Sequence, residues 1–276
     1  MIFLIITAVT VVVLSSIYLF VTMPSFRRHS VLSAMMGKRY GHRGLHSAEN
    51  GAPENTMAAF ERCVAHGFGF EFDVRLTADG KLMIMHDDST LRMTGTDLRI
   101  SRTSSAELDK LRVGQTEERI PYFSQVLEMV SGRVPLIIEL KAENGNHAQL
   151  CEAVERELSS YKGEYVVESF DPRVVRWYKL NRPQTARGQL TEDFNSRNSD
   201  LTKTLGFVMH NYLTNFLTRP DFIAMRLADR EGFTHKMLKN VFGARTVVWT
   251  AQTEQEMKQC ESEGDTVIFE NFIPDE

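Results

Sequence analysis

The residues best suited to chemistry in this 276-residue chain sit on one short stretch. It is Gly69-Phe70-Glu71-Phe72-Asp73-Val74-Arg75, followed after a turn by Leu82-Met83-Ile84-Met85-His86-Asp87. Phe68, Phe70, Phe72 and Val74 alternate with Gly69, Glu71, Asp73 and Arg75, which is the period of a strand. One face is large and apolar and expects a core layer. The other sets Glu71 and Asp73 a single strand repeat apart, an unfavourable pairing unless a cation or a bound proton compensates it. Thr77-Ala78-Asp79-Gly80 reads as a tight turn. A hairpin closed there places His86 roughly opposite Glu71, so two carboxylates and an imidazole converge. Acids alternating with aromatics on a lone strand are most often a solvated face, and the weight of the patch comes from its neighbours.

Those neighbours are β-α units. Tyr40-Gly41-His42-Arg43-Gly44 reads as a brief strand ending in a glycine turn, and Pro53-Glu54-Asn55-Thr56 opens a helix lined by Met57, Phe60 and Val64 and ended by Gly67. With the Phe70 strand this makes one β-α-β unit and implies a parallel sheet. The polar segment 88–119 reads as an insertion above the sheet. Beyond it, Leu136-Ile137-Ile138-Glu139-Leu140-Lys141 repeats the earlier logic, with Glu139 and Lys141 on one face of an apolar strand. Further strands are expected at Tyr165 to Phe170, Ala186 to Leu190, Thr246 to Thr250 and Thr266 to Phe269. Leu205 to Met209 and Phe222 to Met225 both compete for the sixth strand. About eight parallel strands result if the Lys81 to His86 run is a hairpin excursion, and the expected fold is an α/β (β/α)8 TIM barrel.

Composition agrees with an ordinary globular domain, at 42% hydrophobic and 25% charged residues with a net charge of −4. No basic excess points to nucleic acid. Cys63, Cys151 and Cys260 form no CxxC pair, so buried reduced thiols are expected. The exception is the N-terminus. Ile2 to Met23 runs uncharged and long enough to cross a bilayer as a helix. A cleaved signal peptide is the rival, but no basic residue precedes the apolar run and no clear small-x-small site follows it. Arg27, Arg28, His29, Lys38 and Arg39 all follow the span, which by the positive-inside rule places the remainder in the cytoplasm. The expected organisation is an anchor over 1–25, a basic connector over 26–37 and one domain over 38–276.

In such barrels the C-terminal strand ends form the active face. His42 with Arg43, Glu71 with Asp73, Glu139 with Lys141, and Trp249 all fall at that end, and His86 reaches it through the hairpin. Glu71, Asp73 and Glu139 are hard oxygen donors suited to a divalent cation, Mg2+ or Ca2+ rather than Zn2+. Arg43 and Lys141 suit an anionic group, and two histidines can serve as acid and base. Together they fit cleavage of a phosphate ester.

Six motifs then resemble one family in order and spacing: Gly41-His42-Arg43-Gly44, Pro53-Glu54-Asn55-Thr56, Glu71-Phe72-Asp73-Val74, His86-Asp87-Asp88 with Leu91-Arg92, Glu139-Leu140-Lys141, and Trp249-Thr250. From Lys38 onward the chain is similar to the glycerophosphodiester phosphodiesterases. The resemblance implies a TIM barrel with an insertion after the second strand and metal-dependent hydrolysis of glycerophosphodiesters to an alcohol and glycerol 3-phosphate. It also implies His42 and His86 as the acid–base pair, Glu71, Asp73 and Glu139 as metal ligands, Arg43 and Lys141 on the phosphate, and Trp249 beside the glycerol or alcohol. In a mechanism often drawn for the family, the glycerol 2-hydroxyl attacks phosphorus and water opens the cyclic phosphate. Gln252 stands where the family usually has Asn, and Phe269-Glu270-Asn271 where it has Thr-Asp; both lie away from the six motifs and are expected to affect substrate fit and local packing more than chemistry. Glu54 is expected to support the site without entering it. Lysophospholipid headgroup cleavage at the membrane is the alternative activity, with Phe216, Leu217 and Phe222 compatible with it. A non-catalytic binding barrel would predict loss of an acid–base or metal residue, and none is lost.

Overall fold

The computed structural model describes residues 1–27, 29–194 and 202–275. Nine strands occur among them: β1 (Arg39–Gly41), β2 (Gly69–Leu76), β3 (Leu82–Ile84), β4 (Leu136–Leu140), β5 (Tyr165–Ser169), β6 (Arg187–Thr191), β7 (Phe222–Arg226), β8 (Thr246–Ala251) and β9 (Thr266–Phe269). All except β3 pair in parallel, and β1 bonds both β2 and β9, so eight strands close into a barrel. β3 returns antiparallel along β2, with Val74 opposite Ile84, and Met85 N–H donates to Asp73 O at 3.1 Å. The hairpin therefore brings His86 one residue from the position expected opposite Glu71.

Alternation sorts each strand's side chains between two layers. Phe70, Phe72 and Val74 of β2 and Leu136, Ile138 and Leu140 of β4 join the main core under the helices. The opposite faces point into the barrel. Its floor is apolar, built from Tyr40, Ile137, Val166, Phe222, Val247 and Ile268. A short helix, Ser30–Met35, closes the floor from below with Leu32 and Met35, and Tyr40 Oη donates to Met35 O at 2.9 Å. Gly69 and Gly188 make room for this filling, because a Cβ on either would stand 2.5 Å from the Tyr40 ring or 2.2 Å from the Phe222 ring. With the lower barrel filled by hydrocarbon, the charged side chains of β2, β4 and β5 collect at the upper, C-terminal end.

The helix Met57–Ala65 starts as expected, with Thr56 Oγ1 accepting from Ala59 N–H, while Asn55 turns its side chain elsewhere. The contest for the sixth parallel strand goes to β7. Lys203–His210 is a helix, capped by Thr202 Oγ1 on Leu205 N–H, because a cap and a four-residue apolar spacing outweigh a short apolar run. Segment 88–119 packs Ile100, Leu108 and Val113 onto Met83, Met85 and Ile120 as a satellite core beside the hairpin. Cys63, Cys151 and Cys260 are free and buried.

The helix α1 (Ile2–Thr22) is exposed over most of its length and docks by its last turn. Tyr18 Oη lies 2.7 Å from Thr234 Oγ1, Asn215 Nδ2 donates to Thr22 O at 2.7 Å, and an Arg219 NH1 donates to Met23 O at 2.6 Å. Arg27 bonds Pro183 O, Lys38 pairs with Glu164 and Arg39 with Glu261. Arg28 lies outside the described residues.

His235, on the helix Phe233–Phe242, gives this fold an acid-side weakness. It is 5% exposed, and burial, opposed by Asp265 and aided by Lys239 and Arg230, pulls it down from 6.5 to about 4. Between those values the unfolded chain binds the proton and the folded one does not, so stability falls as pH drops from 6.5 toward 4, by about 3 kcal/mol for this group. His235→Gln should flatten that part of the unfolding free energy against pH, measured by denaturant titration.

Candidate active site

The C-terminal ends of the strands carry one buried cluster of charge. Parallel registry aligns Asp73 with Glu139 and Glu139 with Glu168, so successive strands present carboxylates to the barrel axis. Glu71, Asp73 and Glu139 can each offer an oxygen within 4.8 Å of the others, and all three are buried. Lys141 Nζ lies 2.7 Å from Glu139 Oε1 and 3.1 Å from Asp73 Oδ1. Arg43 Nε lies 3.6 Å from Asp73 Oδ2, and Arg43 N–H donates to Glu71 Oε2 at 3.1 Å.

Two positive cations do not balance four buried carboxylates. Burial, with the charges of Asp73 and Glu139 beside it, holds Glu71 well above the usual carboxylate range. Burial pushes Glu139 up to about 7 against the pull of Lys141, and burial together with Glu139 holds Glu168 well above as well. Asp73 goes the other way: Lys141, His86 and Arg43 outweigh its burial and keep it ionised. A cluster raised in this way favours taking up protons or a divalent cation. Glu168 Oε2 is also buried without a hydrogen-bond donor, while Asp73 Oδ1 and Glu139 Oε1 face only the shared Lys141 ammonium. Hard oxygens with spare lone pairs, and no thiolate among them, fit Mg2+ or Ca2+.

Each histidine is gripped through Nδ1 by a carboxylate, which fixes the orientation of its ring. His86 Nδ1 lies 2.7 Å from Asp87 Oδ1, and Arg92 Nε donates to Asp87 Oδ2 at 2.6 Å. His42 Nδ1 bonds Glu270 Oε2, and Gln252 Nε2 donates to Glu270 Oε1. Burial lowers both histidines below 6.5, opposed by the hydrogen bonds to Glu270 and Asp87, which favour the protonated form. The two positions at which the chain departs from the family pattern therefore lie next to His42, although both stand apart in sequence from the six motifs. Glu270 orients His42, and Gln252 orients Glu270.

Two loops set Arg43. Arg43 and Asn55 both adopt left-handed backbone, with φ of 54° and 57°, and Asn55 N–H donates to Arg43 O at 2.9 Å. Asn55 Nδ2 then donates to Asp73 Oδ2 at 2.8 Å. Glu54 bonds Arg43 at 2.7 Å and Arg92 at 2.8 and 3.0 Å, which fits the supporting place expected of it. Ser169 and Gln189 spend their hydrogen bonds on backbone carbonyls. Arg75 clamps His86 O with two hydrogen bonds, at 3.0 and 2.6 Å.

A cavity of about 170 Å³ opens on this cluster, lined by His42, Arg43, Glu71, His86, Glu139 and Lys141. Trp249 and Phe170 form its apolar side, edge to face with centroids 5.8 Å apart. Every candidate residue except Asp73 lines the cavity, and Asp73 touches two that do, Arg43 and Lys141. Glu168 is the member that sequence reading missed.

Residues 42–274 match the model of the glycerophosphoryl diester phosphodiesterase family. The chain belongs to that family. A human relative, glycerophosphodiester phosphodiesterase 1, is 28% identical over 95% of this chain and 87% of its own length. The glycerophosphodiester phosphodiesterase of Caldanaerobacter subterraneus is 31% identical over 54% of this chain, and the match spans 64% of that protein, less than two thirds of its length. Among solved structures, the Thermotoga maritima glycerophosphodiester phosphodiesterase superposes with a TM-score of 0.63 at 26% identity, covering 84% of this chain and 93% of its own. An Oleispira antarctica phosphodiesterase bound to the product sn-glycerol-3-phosphate superposes with a TM-score of 0.68 at 22% identity, covering 86% and 94%. These likenesses place the (β/α)8 barrel within the family.

Mg2+ or Ca2+ at about a hundredfold its dissociation constant should stabilise the full chain by ~2.7 kcal/mol, or roughly 5–10 °C in Tm for a domain of this size. Glu71→Gln should abolish that shift. It should also raise Tm in EDTA, since it removes one member of a repelling set. Differential scanning calorimetry in detergent micelles reads both.

Proposed function

We propose that the protein hydrolyses glycerophosphodiesters to an alcohol and glycerol 3-phosphate, with His42 and His86 as the acid–base pair. The observation that carries this reading is the joint enclosure of both histidines, the acidic cluster and two cations around one cavity. Glu71, Asp73 and Glu139 would hold the divalent cation, with Glu168 beside them. When bound, that cation neutralises charge on the phosphoryl oxygens. Arg43 and Lys141 orient the phosphate, and Trp249 packs against the glycerol or alcohol. One histidine takes the proton of the glycerol 2-hydroxyl as its oxygen bonds phosphorus. The other gives a proton to the alcohol oxygen as its bond to phosphorus breaks. Water then opens the cyclic phosphate by the reverse proton movements. The resulting division is an anchor over 1–25, a connector over 26–37 and a catalytic barrel over 38–276 with its insertion at 88–119.

The reading extends to a single-pass anchor. α1 spans 21 residues at a mean hydropathy of 2.6 and buries none of that window in the protein. The cytoplasmic orientation rests on the basic residues after α1. Of these, His29, Lys38 and Arg39 pair with Asp221, Glu164 and Glu261, and Arg27 bonds Pro183 O.

Release of glycerol 3-phosphate from glycerophosphocholine, followed by a coupled dehydrogenase assay, should stop in EDTA and return with Mg2+ or Ca2+. His42→Ala and His86→Ala should each lose about 10²–10⁴-fold in kcat. Full activity in either variant, or in EDTA, would overturn the mechanism. Lysophosphatidylcholine in the same assay, read as lysophosphatidic acid, tests the alternative substrate.

A further inference from the structure

The docking of α1 fixes which end of the barrel meets a bilayer. Tyr18 bonds Thr234, the second residue of the helix that begins just past the C-terminal end of β7. A few residues later the chain is at the other end of the same strand, where Thr22 O accepts from Asn215 and Ser25 N–H donates to Pro220 O at 2.8 Å. Between residues 18 and 25 the chain thus descends the barrel wall from the catalytic rim to the floor. Upstream of Tyr18, α1 must leave past the catalytic rim. Residues 2–17 are all exposed, and at ~1.5 Å per residue they rise about 24 Å, close to the hydrocarbon thickness of a bilayer.

Where α1 leaves the barrel, large apolar side chains are bare. Phe233 is 77% exposed and directly precedes the Thr234 that bonds Tyr18. Phe207 and Leu205, 57% and 44% exposed, lie on the helix Lys203–His210. That helix is tied to the same spot, since Thr234 Oγ1 donates to Asn211 Oδ1 at 3.0 Å. It is also tied to the rim, since Thr191 Oγ1 donates to Met209 O at 3.1 Å. Glu192, which follows Thr191, lines the catalytic cavity. The apolar side chains therefore sit on elements bonded to the anchor on one side and to the strand end that precedes cavity-lining Glu192 on the other.

We propose that Phe233, Phe207 and Leu205 form an interfacial rim seated in the bilayer surface, so that α1 holds the mouth of the cavity against the membrane. The proposal rests on α1 being a membrane anchor. A polar floor-down orientation, with the mouth toward bulk water, would leave three large apolar side chains solvated beside a lipid surface and would need α1 to exit at the other end of β7. A mouth facing the bilayer can receive a diester whose tail stays in the lipid.

The native cysteines are buried, so single cysteines introduced as Phe233→Cys, Phe207→Cys and Ser160→Cys can carry an environment-sensitive dye on the full chain. Ser160 is exposed on the barrel base and serves as the reference. The proteins are reconstituted in phosphatidylcholine vesicles with and without nitroxide-labelled lipid and floated on a density gradient. The expected result is flotation, with emission at 233 and 207 quenched about twofold or more and emission at 160 unchanged. Flotation with all three positions unquenched, or with 160 quenched as strongly, overturns the rim while the anchor stands. Failure to float overturns the anchor and the rim with it. Quenching that instead follows protein density assigns the patch to a second copy and also overturns the proposal.

Discussion

The interaction on which this structure turns is the mutual repulsion of carboxylates packed into the upper barrel. β2, β4 and β5 run side by side in parallel, and alternation sends Glu71, Asp73, Glu139 and Glu168 to the same interior. In a medium that solvates charge poorly, such a group either binds protons or binds cations. Lys141 and Arg43 answer part of it and keep Asp73 ionised. The remainder is left as raised acids with unfilled lone pairs, a demand that a hard divalent ion satisfies. The apolar floor makes the demand sharper, since Tyr40, Phe222 and the capping helix fill the lower barrel with apolar side chains.

Around this centre, further carboxylates hold the cationic and imidazole groups. Glu54 ties Arg43 to Arg92, Asp87 ties Arg92 to His86, and Glu270 ties His42 to Gln252. Each partner is satisfied by a carboxylate outside the acidic cluster. The burial of Glu54 is outweighed by Arg92 and Arg43, and that of Glu270 by His42 and His46, so both stay ionised. Removing one such link leaves a charge without its partner in a confined place, which costs more than the link contributes. The positions of the two histidines thus depend on residues drawn from segments more than 200 positions apart.

Much of this centre was legible before any coordinates. The period of two in β2 and β4 separated core from interior, and charge at the ends of apolar strands marked the active rim. What stayed hidden lacked a local pattern. Glu168 is a lone acid in a Val-Val-Glu-Ser-Phe run, and only registry with Glu139 gives it meaning. Glu270 and Gln252 gain their place through chain closure, when β9 pairs with β1 and delivers residue 270 to His42. The helix Lys203–His210 competes with β7 for the sixth strand in the sequence because eight residues carry too little periodicity to separate helix from strand. The docking of α1 depends on Tyr18 meeting Thr234, a contact across 216 positions that no motif announces.

The central claim is that the acidic cluster trades protons for a divalent cation. Calorimetric titration of Mg2+ or Ca2+ into the metal-free full chain near pH 7, repeated in buffers of different ionisation enthalpy, counts the protons released. The account predicts saturable binding with release of about one proton or more, because burial and mutual repulsion raise Glu71 and Glu168 well above the usual carboxylate range and push Glu139 up to about 7. Binding with no proton release, or no binding at millimolar metal, would contradict it.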